Sequence, residues 1–414
     1  MTRARHVIAG ILLSAAAACG NSSHNSPDGP AVDAAPDAFK VGVQAIPLTT
    51  PDGTYYNVAL AMGAGTFALD LDTGSTSVGV AGSTCTGCGV TPLYNASTGT
   101  DTHLTAMTQY ADGTGWSGEI YTDNVSLGHE TPSVKLAFVD ITAQQGGFFD
   151  GSDYQGIMGL GPQQNAEDGT TAYVDAASTA GVPKIMAFEL CPSHGTMWYG
   201  GFDPSAGTGD VQYATMLPID DNNPYYAFDV DDMLVGGKSL GFTAPDFEEP
   251  ILDTGTSYTY LPTAVHDALV KAINMDSMFK SMFPAQTISD NNCVTKAGST
   301  AAQIDAALPV MALKLPSASG DITISVPPSQ SYLLDFGGGQ WCLGINDGGT
   351  GNGATLGDTF MRGYLSVIDT ASGRIGLAPD AGCAASGDPN ARIRMTKPHR
   401  PRPHPRSPAT LNRK

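Results

Sequence analysis

The sequence predicts an all-β protein of two lobes that meet at a central cleft. Helical periodicity is scarce, and 50 Gly and 28 Pro separate short β-branched and aromatic runs along the 414 residues, which is typical of chains made of many short strands. The triplet Asp-Thr-Gly occurs twice, at 72–74 and at 253–255. Because the chain is too long for one simple core, this duplication predicts two lobes of comparable size.

The residues that flank the two triplets follow the same pattern. An apolar strand-like run precedes each triplet, at 67–71 in the first copy and at 250–252 in the second, and a hydroxyl residue follows it. A single copy would be typical of an ordinary strand-end turn, because Asp, Thr and Gly are common turn residues. Two copies indicate two equivalent loops, and Gly74 and Gly255 would let the loops approach each other closely at their backbones.

The repeated carboxylates, Asp72 and Asp253, predict acid–base chemistry. Two carboxylates at short range cannot both ionise, so the pair shares one proton. One can take a proton from water while the other donates a proton to a peptide carbonyl, with no metal, no cofactor and no covalent intermediate. The sequence contains no GxSxG, HExxH or phosphate-loop motif that would indicate serine, zinc or nucleotide chemistry.

One segment has a clear helical pattern. Pro262 opens it, and apolar residues recur at helical spacing over residues 263–275. The sequence therefore predicts a short helix after the second triplet. Its predicted apolar face comprises Val265, Leu269, Val270 and Ile273.

Five further motifs, in order along the chain, make it resemble the pepsin family from about residue 45 to residue 378. They are Tyr55-Tyr56-Asn57-Val58, the Gly-rich run 109–115, Ile157-Met158-Gly159, Thr355-Leu356-Gly357, and the closing runs 364–369 and 374–379. The resemblance implies the bilobal pepsin-like acid protease fold, with two β-barrel-like lobes, an interlobe sheet and a central cleft. It also implies an exported aspartic endopeptidase that hydrolyses polypeptides with dyad-activated water at acidic pH.

The same resemblance implies which residues bind substrate. Ser75 and Thr256 would hydrogen-bond the outer carboxylate oxygens or the substrate backbone, beside Gly74 and Gly255. Tyr110 would lie on a flap that closes over the substrate and excludes water, and Gly113 would form the flap's mobile tip.

The flap shows one departure from the family pattern. Pepsin-like enzymes usually have an aromatic residue shortly after the first triplet that supports the flap tyrosine, whereas this chain has Val78-Gly79-Val80. Trp116 is a candidate for this support, and a plain core residue is the alternative for such a Trp.

The alternative function is a non-catalytic pepsin-fold binding or inhibitor-like protein at the cell surface. Such relatives usually lose one Asp or break one triplet, and both triplets are whole here. A surface-anchored structural lipoprotein would explain the N-terminal segment but not the paired triplets.

The chain ends differ in composition from its middle. Residues 1–18 are predicted to be a signal peptide, since a basic start precedes a short apolar core and small residues. The site before Cys19 resembles the bacterial lipoprotein cleavage site, so the prediction is a lipoprotein anchored through lipidated Cys19 on a bacterial membrane, with simple secretion as the alternative. Residues 19–40 are predicted to be a flexible tether, 41–205 and 206–390 the two lobes, and 391–414 a basic disordered tail.

The charge distribution argues against nucleic acid as a partner. Residues 19–390 carry ten Lys or Arg against 40 Asp or Glu, and the tail carries eight Lys or Arg and no acid. Self-repulsion of such an acidic body eases as carboxylates protonate, which favours tolerance of acid; a solvated acidic face or a halophilic surface is the alternative. The predicted partners are polypeptide substrates, and we expect a monomer.

Seven cysteines fit an oxidising compartment. Setting Cys19 aside leaves an even number, which predicts three disulfides. The family resemblance implies the first two pairs, and the third joins the two that remain; a Cys-x-x-Cys redox or zinc site is the rival for the first. The predicted pairs are Cys85 with Cys88, Cys293 with Cys342, and Cys191 with Cys383.

Overall fold

The structure of the protein is a computed structural model that describes residues 45–51, 53–128 and 131–381. These ranges contain 24 β-strands and six short α-helices, which confirms the predicted all-β class. The predicted signal peptide, the tether with Cys19, the tail and Cys383 lie outside the described residues. No helix of the described ranges is long and apolar enough to cross a membrane.

The first part of the chain supplies ten strands that carry the first triplet and the flap hairpin. In chain order they are β1 (Ala45–Thr49), β2 (Asn57–Met62), β3 (Gly65–Asp72), β4 (Gly79–Thr86), β5 (Thr100–Gln109), β6 (Gly115–Leu127), β7 (Val134–Gln145), β8 (Gly156–Gly159), β9 (Ile185–Cys191) and β10 (His194–Tyr199).

The second part supplies fourteen strands, many of them short. They are β11 (Gln212–Thr215), β12 (Asp232–Val235), β13 (Lys238–Ser239), β14 (Ile251–Leu252), β15 (Thr259–Leu261), β16 (Val294–Thr295), β17 (Met311–Leu315), β18 (Ile322–Val326), β19 (Leu333–Gly337), β20 (Gln340–Leu343), β21 (Ile345–Asp347), β22 (Thr355–Leu356), β23 (Tyr364–Asp369) and β24 (Arg374–Pro379).

The helices lie mainly in the second part. They are α1 (Tyr173–Thr179), α2 (Ala244–Phe247), α3 (Thr263–Met275), α4 (Ser277–Met282), α5 (Ala301–Ala307) and α6 (Asp358–Met361). Helix α3 has the predicted bounds. It buries Val265, Leu269 and Ile273 as predicted, together with His266, while Val270 is only partly buried.

Strands from both ends of the chain join in one 13-stranded sheet. Its order is β11-β24-β23-β9-β10-β1-β2-β3-β8-β4-β7-β6-β5. Two four-stranded sheets, β13-β12-β17-β18 and β14-β22-β15-β21, and the three-stranded sheet β16-β20-β19 complete the described sheets. Strand β23 pairs with β9, and β24 pairs with β23 and β11, which ties the second part of the sequence to the first.

The two triplets lie in repeated strand arrangements. Strand β3 pairs in parallel with β8, which pairs antiparallel with β4. Strand β14 likewise pairs in parallel with β22, which pairs antiparallel with β15. The leucines preceding the two aspartates, Leu71 and Leu252, are buried in the core. The two triplets therefore share the same arrangement of paired strands as well as the same sequence. Both aspartates lie at equivalent strand ends.

Candidate active site

The two aspartates of the triplets occupy equivalent positions. Asp72 is the last residue of β3, where it pairs with Gly159 of β8, and Asp253 directly follows β14. Both side chains are almost completely buried, with 5% and 4% exposure. Buried carboxylates need hydrogen-bond donors or a proton, because an isolated charge is costly away from water.

Each carboxyl group lies against the glycine of the other triplet. A Cβ atom placed on Gly74 would lie 2.6 Å from Cγ of Asp253, and one placed on Gly255 would lie 2.5 Å from Cγ of Asp72. Both distances are shorter than any non-bonded carbon contact, so only glycine fits at these positions. The reciprocal approach brings the two carboxyl groups together at one place in the fold.

Hydrogen bonds within each loop hold the carboxylates in matching orientations. Oδ1 of Asp72 accepts from the amide of Gly74 at 2.8 Å, and Oδ2 accepts from the hydroxyl of Ser75 at 2.6 Å. Oδ1 of Asp253 accepts from the amide of Gly255 at 2.9 Å, and Oδ2 accepts from the hydroxyl of Thr256 at 2.6 Å. Ser75 and Thr256 therefore contact the outer oxygens of their own carboxylates.

The threonines of the two triplets lock the loops together. The hydroxyl of Thr73 donates to the carbonyl of Leu252 at 2.9 Å and accepts from the amide of Thr254 at 3.1 Å. The hydroxyl of Thr254 donates to the carbonyl of Leu71 at 2.9 Å and accepts from the amide of Thr73 at 3.1 Å. This lock is not among the predictions above, although the Thr repeated in both triplets is its signal.

The segments Ile157-Met158-Gly159 and Thr355-Leu356-Gly357 cross against the two triplet loops. A Cβ atom on Gly159 would lie 2.3 Å from the carbonyl carbon of Thr76, and one on Gly357 would lie 2.2 Å from the carbonyl oxygen of Thr256. The backbone of each segment therefore touches the backbone of a loop, and its glycine permits that contact.

A third carboxyl group lies near the pair. Asp358 is fully buried, and neither of its oxygens has a hydrogen-bond partner in the described part of the chain. Burial raises the pKa of Asp358 well above its usual range; the nearby Arg362 opposes the rise and Asp253 adds to it. Burial therefore favours the neutral form of this carboxyl group.

The Gly-rich run forms the predicted hairpin between β5 and β6. The amide of Tyr110 donates to the carbonyl of Thr114 at 2.8 Å, and the amide of Gly113 donates back to the carbonyl of Tyr110 at 2.9 Å. Gly113 has a φ of +84°, and a Cβ atom there would meet nothing within 4 Å. The tip is therefore open on its outer side.

The tyrosine of this hairpin is held by aromatic neighbours. Nε1 of Trp116 donates to the hydroxyl of Tyr110 at 3.1 Å. The ring of Tyr110 stacks on Phe148 with centroids 5.7 Å apart, and the Tyr110 side chain is 6% exposed. Trp116, named above as a candidate, thus contacts the flap tyrosine from within the same hairpin.

The remaining predicted site residues are cysteines, and they lie away from the aspartates in sequence. Disulfides join Cys85 to Cys88 and Cys293 to Cys342. Cys191 is also disulfide-bonded, and its predicted partner Cys383 lies outside the described residues. Within the described ranges, no group of three or more His, Cys, Asp or Glu is placed to hold a metal ion.

Comparison with known proteins identifies the family of this arrangement. The sequence profile of the family described as eukaryotic aspartyl protease matches residues 55–380. The match includes both triplets, the flap hairpin and both crossing segments, and it covers most of the chain.

Individual relatives are fungal proteins. The chain is 28% identical to an aspartic protease of Phaffia rhodozyma, over 77% of this chain and 75% of that protein. It is 26% identical to Rhizopuspepsin-3 of Rhizopus niveus, over 82% and 83% of the two chains. It is also 26% identical to Penicillopepsin-1 of Talaromyces stipitatus, over 80% of each chain.

Proposed function

This chain belongs to the eukaryotic aspartyl protease family and is an aspartic endopeptidase, and we propose that Asp72 and Asp253 are its catalytic pair. One observation carries the assignment. Each carboxyl group lies against the glycine of the other triplet: a Cβ atom on Gly74 would lie 2.6 Å from Cγ of Asp253, and one on Gly255 would lie 2.5 Å from Cγ of Asp72. Because each glycine belongs to the loop of the other aspartate, this reciprocal contact supports a pair of carboxyl groups close enough to share a proton, which is the protonation state that the reaction needs.

The pair divides the work of hydrolysis between a base and an acid. The ionised carboxylate takes a proton from a water molecule as its oxygen attacks the carbonyl carbon, while the protonated carboxyl gives its proton to the carbonyl oxygen. The tetrahedral intermediate then collapses: the C–N bond breaks, the nitrogen leaves with a proton, and the other proton returns to the pair. The hydroxyls of Ser75 and Thr256 keep both carboxyl groups in the required orientation.

The hairpin between β5 and β6 is proposed to be a flap over the substrate. Tyr110 would cover the reacting bond and exclude water, and Gly113 at the open tip would let the substrate enter. The support for this role is the position of Ala111, next to Tyr110, in the wall of a cavity that also includes Ile251 and Thr355, close to Asp253.

Activity at acidic pH is supported by the buried carboxyl groups. Burial raises the pKa of Asp140 to about 7, with Glu119 adding to the rise, and it raises the pKa of Glu189 to about 7, with Asp380 adding. A carboxyl pKa raised in the folded state contributes stability that is present below the unfolded value and is lost as pH rises through about 7. These two carboxyl groups therefore stabilise the folded protein more at acidic than at neutral pH, and in acid one carboxyl of the catalytic pair also stays protonated.

We expect the protein to cleave denatured polypeptides in acid and to be blocked by a peptide that mimics the tetrahedral intermediate. The test is the rate of cleavage of an unfolded protein substrate from pH 3 to pH 7.5, with and without the mimic. The rate should fall towards neutral pH, because one carboxyl of the pair must be protonated. A wild type that binds the mimic in acid but cleaves nothing would instead favour the binding-protein alternative.

Loss of the indole donor on the flap is expected to weaken catalysis. Trp116→Phe keeps an aromatic ring but removes the hydrogen bond to Tyr110, so kcat/KM should fall by roughly two- to tenfold. Tyr110→Phe should cause a similar loss, and the double variant should lose little more than either single variant, because both remove the same contact. Kinetic measurement of the four proteins as a double-mutant cycle checks this.

The matched control is Trp198→Phe. Trp198 lies on β10, outside the hairpin, and its buried indole nitrogen has no hydrogen-bond partner in the described part of the chain. Removing this nitrogen should therefore leave the flap unaffected. Strictly additive losses for Trp116→Phe and Tyr110→Phe would contradict the proposed support.

Several further features of the protein are proposed on sequence grounds. Residues 41–205 and 206–390 would be the two lobes, and Cys191 would pair with Cys383. The protein would be exported by the signal peptide 1–18 and act as a monomer, anchored through lipidated Cys19 or secreted. Mass spectrometry of the mature protein would read both the N-terminal modification and the third disulfide.

A further inference from the structure

The cavity beside the second catalytic loop has an acidic wall. Its volume is about 1170 Å³, and among the described residues no Lys, Arg or His lines it. Five carboxylates do, and together they are called the acidic wall below. They are Asp221, Asp229, Glu248, Glu249 and Asp347.

The cavity lies next to the proposed catalytic pair. Ile251 and Thr355, which pair across β14 and β22, form part of its lining. Ile251 precedes Asp253 by two residues, which is about 7 Å along an extended chain. Ala111 of the flap lines the cavity as well. An extended substrate lying under the flap would therefore place a side chain in this cavity within about three residues of the bond to be cleaved.

The acidic wall has charge available for a ligand. Asp221, Asp229 and Glu249 take part in none of the ion pairs that the described ranges contain. The ring of Tyr260 lies among the lining residues as well, so the cavity offers an aromatic surface beside the carboxylates.

The backbone at Glu248 and Glu249 is unusual. Their φ angles are +54° and +59°, which is the left-handed backbone conformation that residues other than glycine rarely adopt. The two residues are followed by Pro250 and then by β14. Glycine would be less strained at both positions, and both glutamate side chains belong to the acidic wall.

We propose that the acidic wall binds a Lys or Arg side chain of the polypeptide substrate, so that this protease selects substrates with a basic residue near the cleaved bond. The inference rests on the proposed function, because it takes Asp72 and Asp253 as the place of cleavage. A basic side chain would reach the carboxylates with its charged end while its methylene groups cover the apolar part of the lining.

A peptide series tests the selection. One scaffold peptide that the wild type cleaves is made with Lys, norleucine or Glu at each of the three positions on either side of the cleaved bond, and kcat/KM is measured at pH 5.5, where exposed carboxylates are ionised. At one position Lys should exceed norleucine by about tenfold, since exposed ion pairs contribute roughly two- to fivefold each, and Glu should be the poorest. Added salt should reduce the ratio of Lys to norleucine.

Two outcomes of the peptide series have separate meanings. Equal cleavage of the Lys and norleucine peptides at every position would overturn the proposed selection while leaving the proposed catalytic pair intact. Failure to cleave any peptide, including the neutral scaffold and denatured protein, would overturn the proposed function and this inference with it.

Charge-neutralising variants locate the effect. Glu249→Gln should lower the ratio of Lys to norleucine by roughly two- to fivefold, and adding Glu248→Gln should lower it further. Asp210→Asn is the matched control, because Asp210 is exposed and does not line the cavity. Its ratio should equal that of the wild type. An equal change in the control and the wall variants would assign the preference to the overall charge of the protein, and no change in the wall variants would show that their carboxylates do not set it. Either result would overturn the proposal.

Discussion

Asp253→Asn is expected to lower peptide-bond hydrolysis by about a thousandfold or more while the fold survives. Asparagine has nearly the size of aspartate and keeps an oxygen that can accept from the amide of Gly255. In the wild type this amide donates to Oδ1 of Asp253 at 2.9 Å. It cannot share a proton or carry the negative charge, so the pair loses either its acid or its base. Asp72→Asn should have the same effect, because the two groups are arranged alike. The measurement is kcat/KM on one peptide, with thermal unfolding to verify the fold.

The control for this prediction is a carboxylate outside the site. Asp210→Asn also removes one charge, and it should leave both the rate and the unfolding temperature close to those of the wild type. Cleavage at the wild-type rate by either catalytic-pair variant would end the assignment of Asp72 and Asp253.

Thr73→Val is expected to destabilise the protein by about 2–6 kcal/mol. Valine has the shape of threonine but lacks the hydroxyl that donates to Leu252 and accepts from Thr254. Both backbone groups would then be buried without a partner, and each such loss is worth about 1–3 kcal/mol. Because the lock positions both catalytic loops, kcat should fall as well. Urea unfolding of the purified variant gives the free energy of unfolding.

A serine variant separates the hydroxyl from the packing. Thr73→Ser keeps the oxygen and loses one methyl group, so it should cost about 1 kcal/mol and retain most of the activity. Thr254→Val should behave as Thr73→Val does, since the four hydrogen bonds form two equivalent pairs. Equal stability of the Val and Ser variants at position 73 would show that the lock contributes nothing beyond packing.

Much of the fold could be predicted because its signals are local. A strand that ends in Asp-Thr-Gly is visible in a few consecutive residues, and so is helix α3, whose bounds 263–275 follow from Pro262 and the spacing of apolar residues. The hairpin between β5 and β6 was predicted from the resemblance to the pepsin family, and Gly113, with a φ of +84°, fits the sharp turn at its tip. The hydrogen-bonding role of Trp116, in contrast, depends on where the indole nitrogen points.

The long-range pairing was not predictable from local pattern. Strand β23 pairs with β9, so Ser366 lies opposite Phe188, although the two residues are far apart in sequence. A strand's alternation of side chains indicates that it has a buried face, but it does not identify the neighbouring strand. Backbone hydrogen bonds are chemically alike at every residue, so only the assembled sheet decides the partner.

The sequence by itself determined the reaction class of this protein, and the tertiary structure decided how the side chains of the site are positioned. Two intact Asp-Thr-Gly triplets specify a pair of carboxyl groups in equivalent loops, because residue identity and order are sufficient for that conclusion. The threonine lock and the acidic wall exist only in the folded chain, because their members come from separate loops. Glu248 and Asp347 are distant in sequence and carry no shared motif, and they line one cavity only because the packing of β14, β21 and β22 brings their loops together.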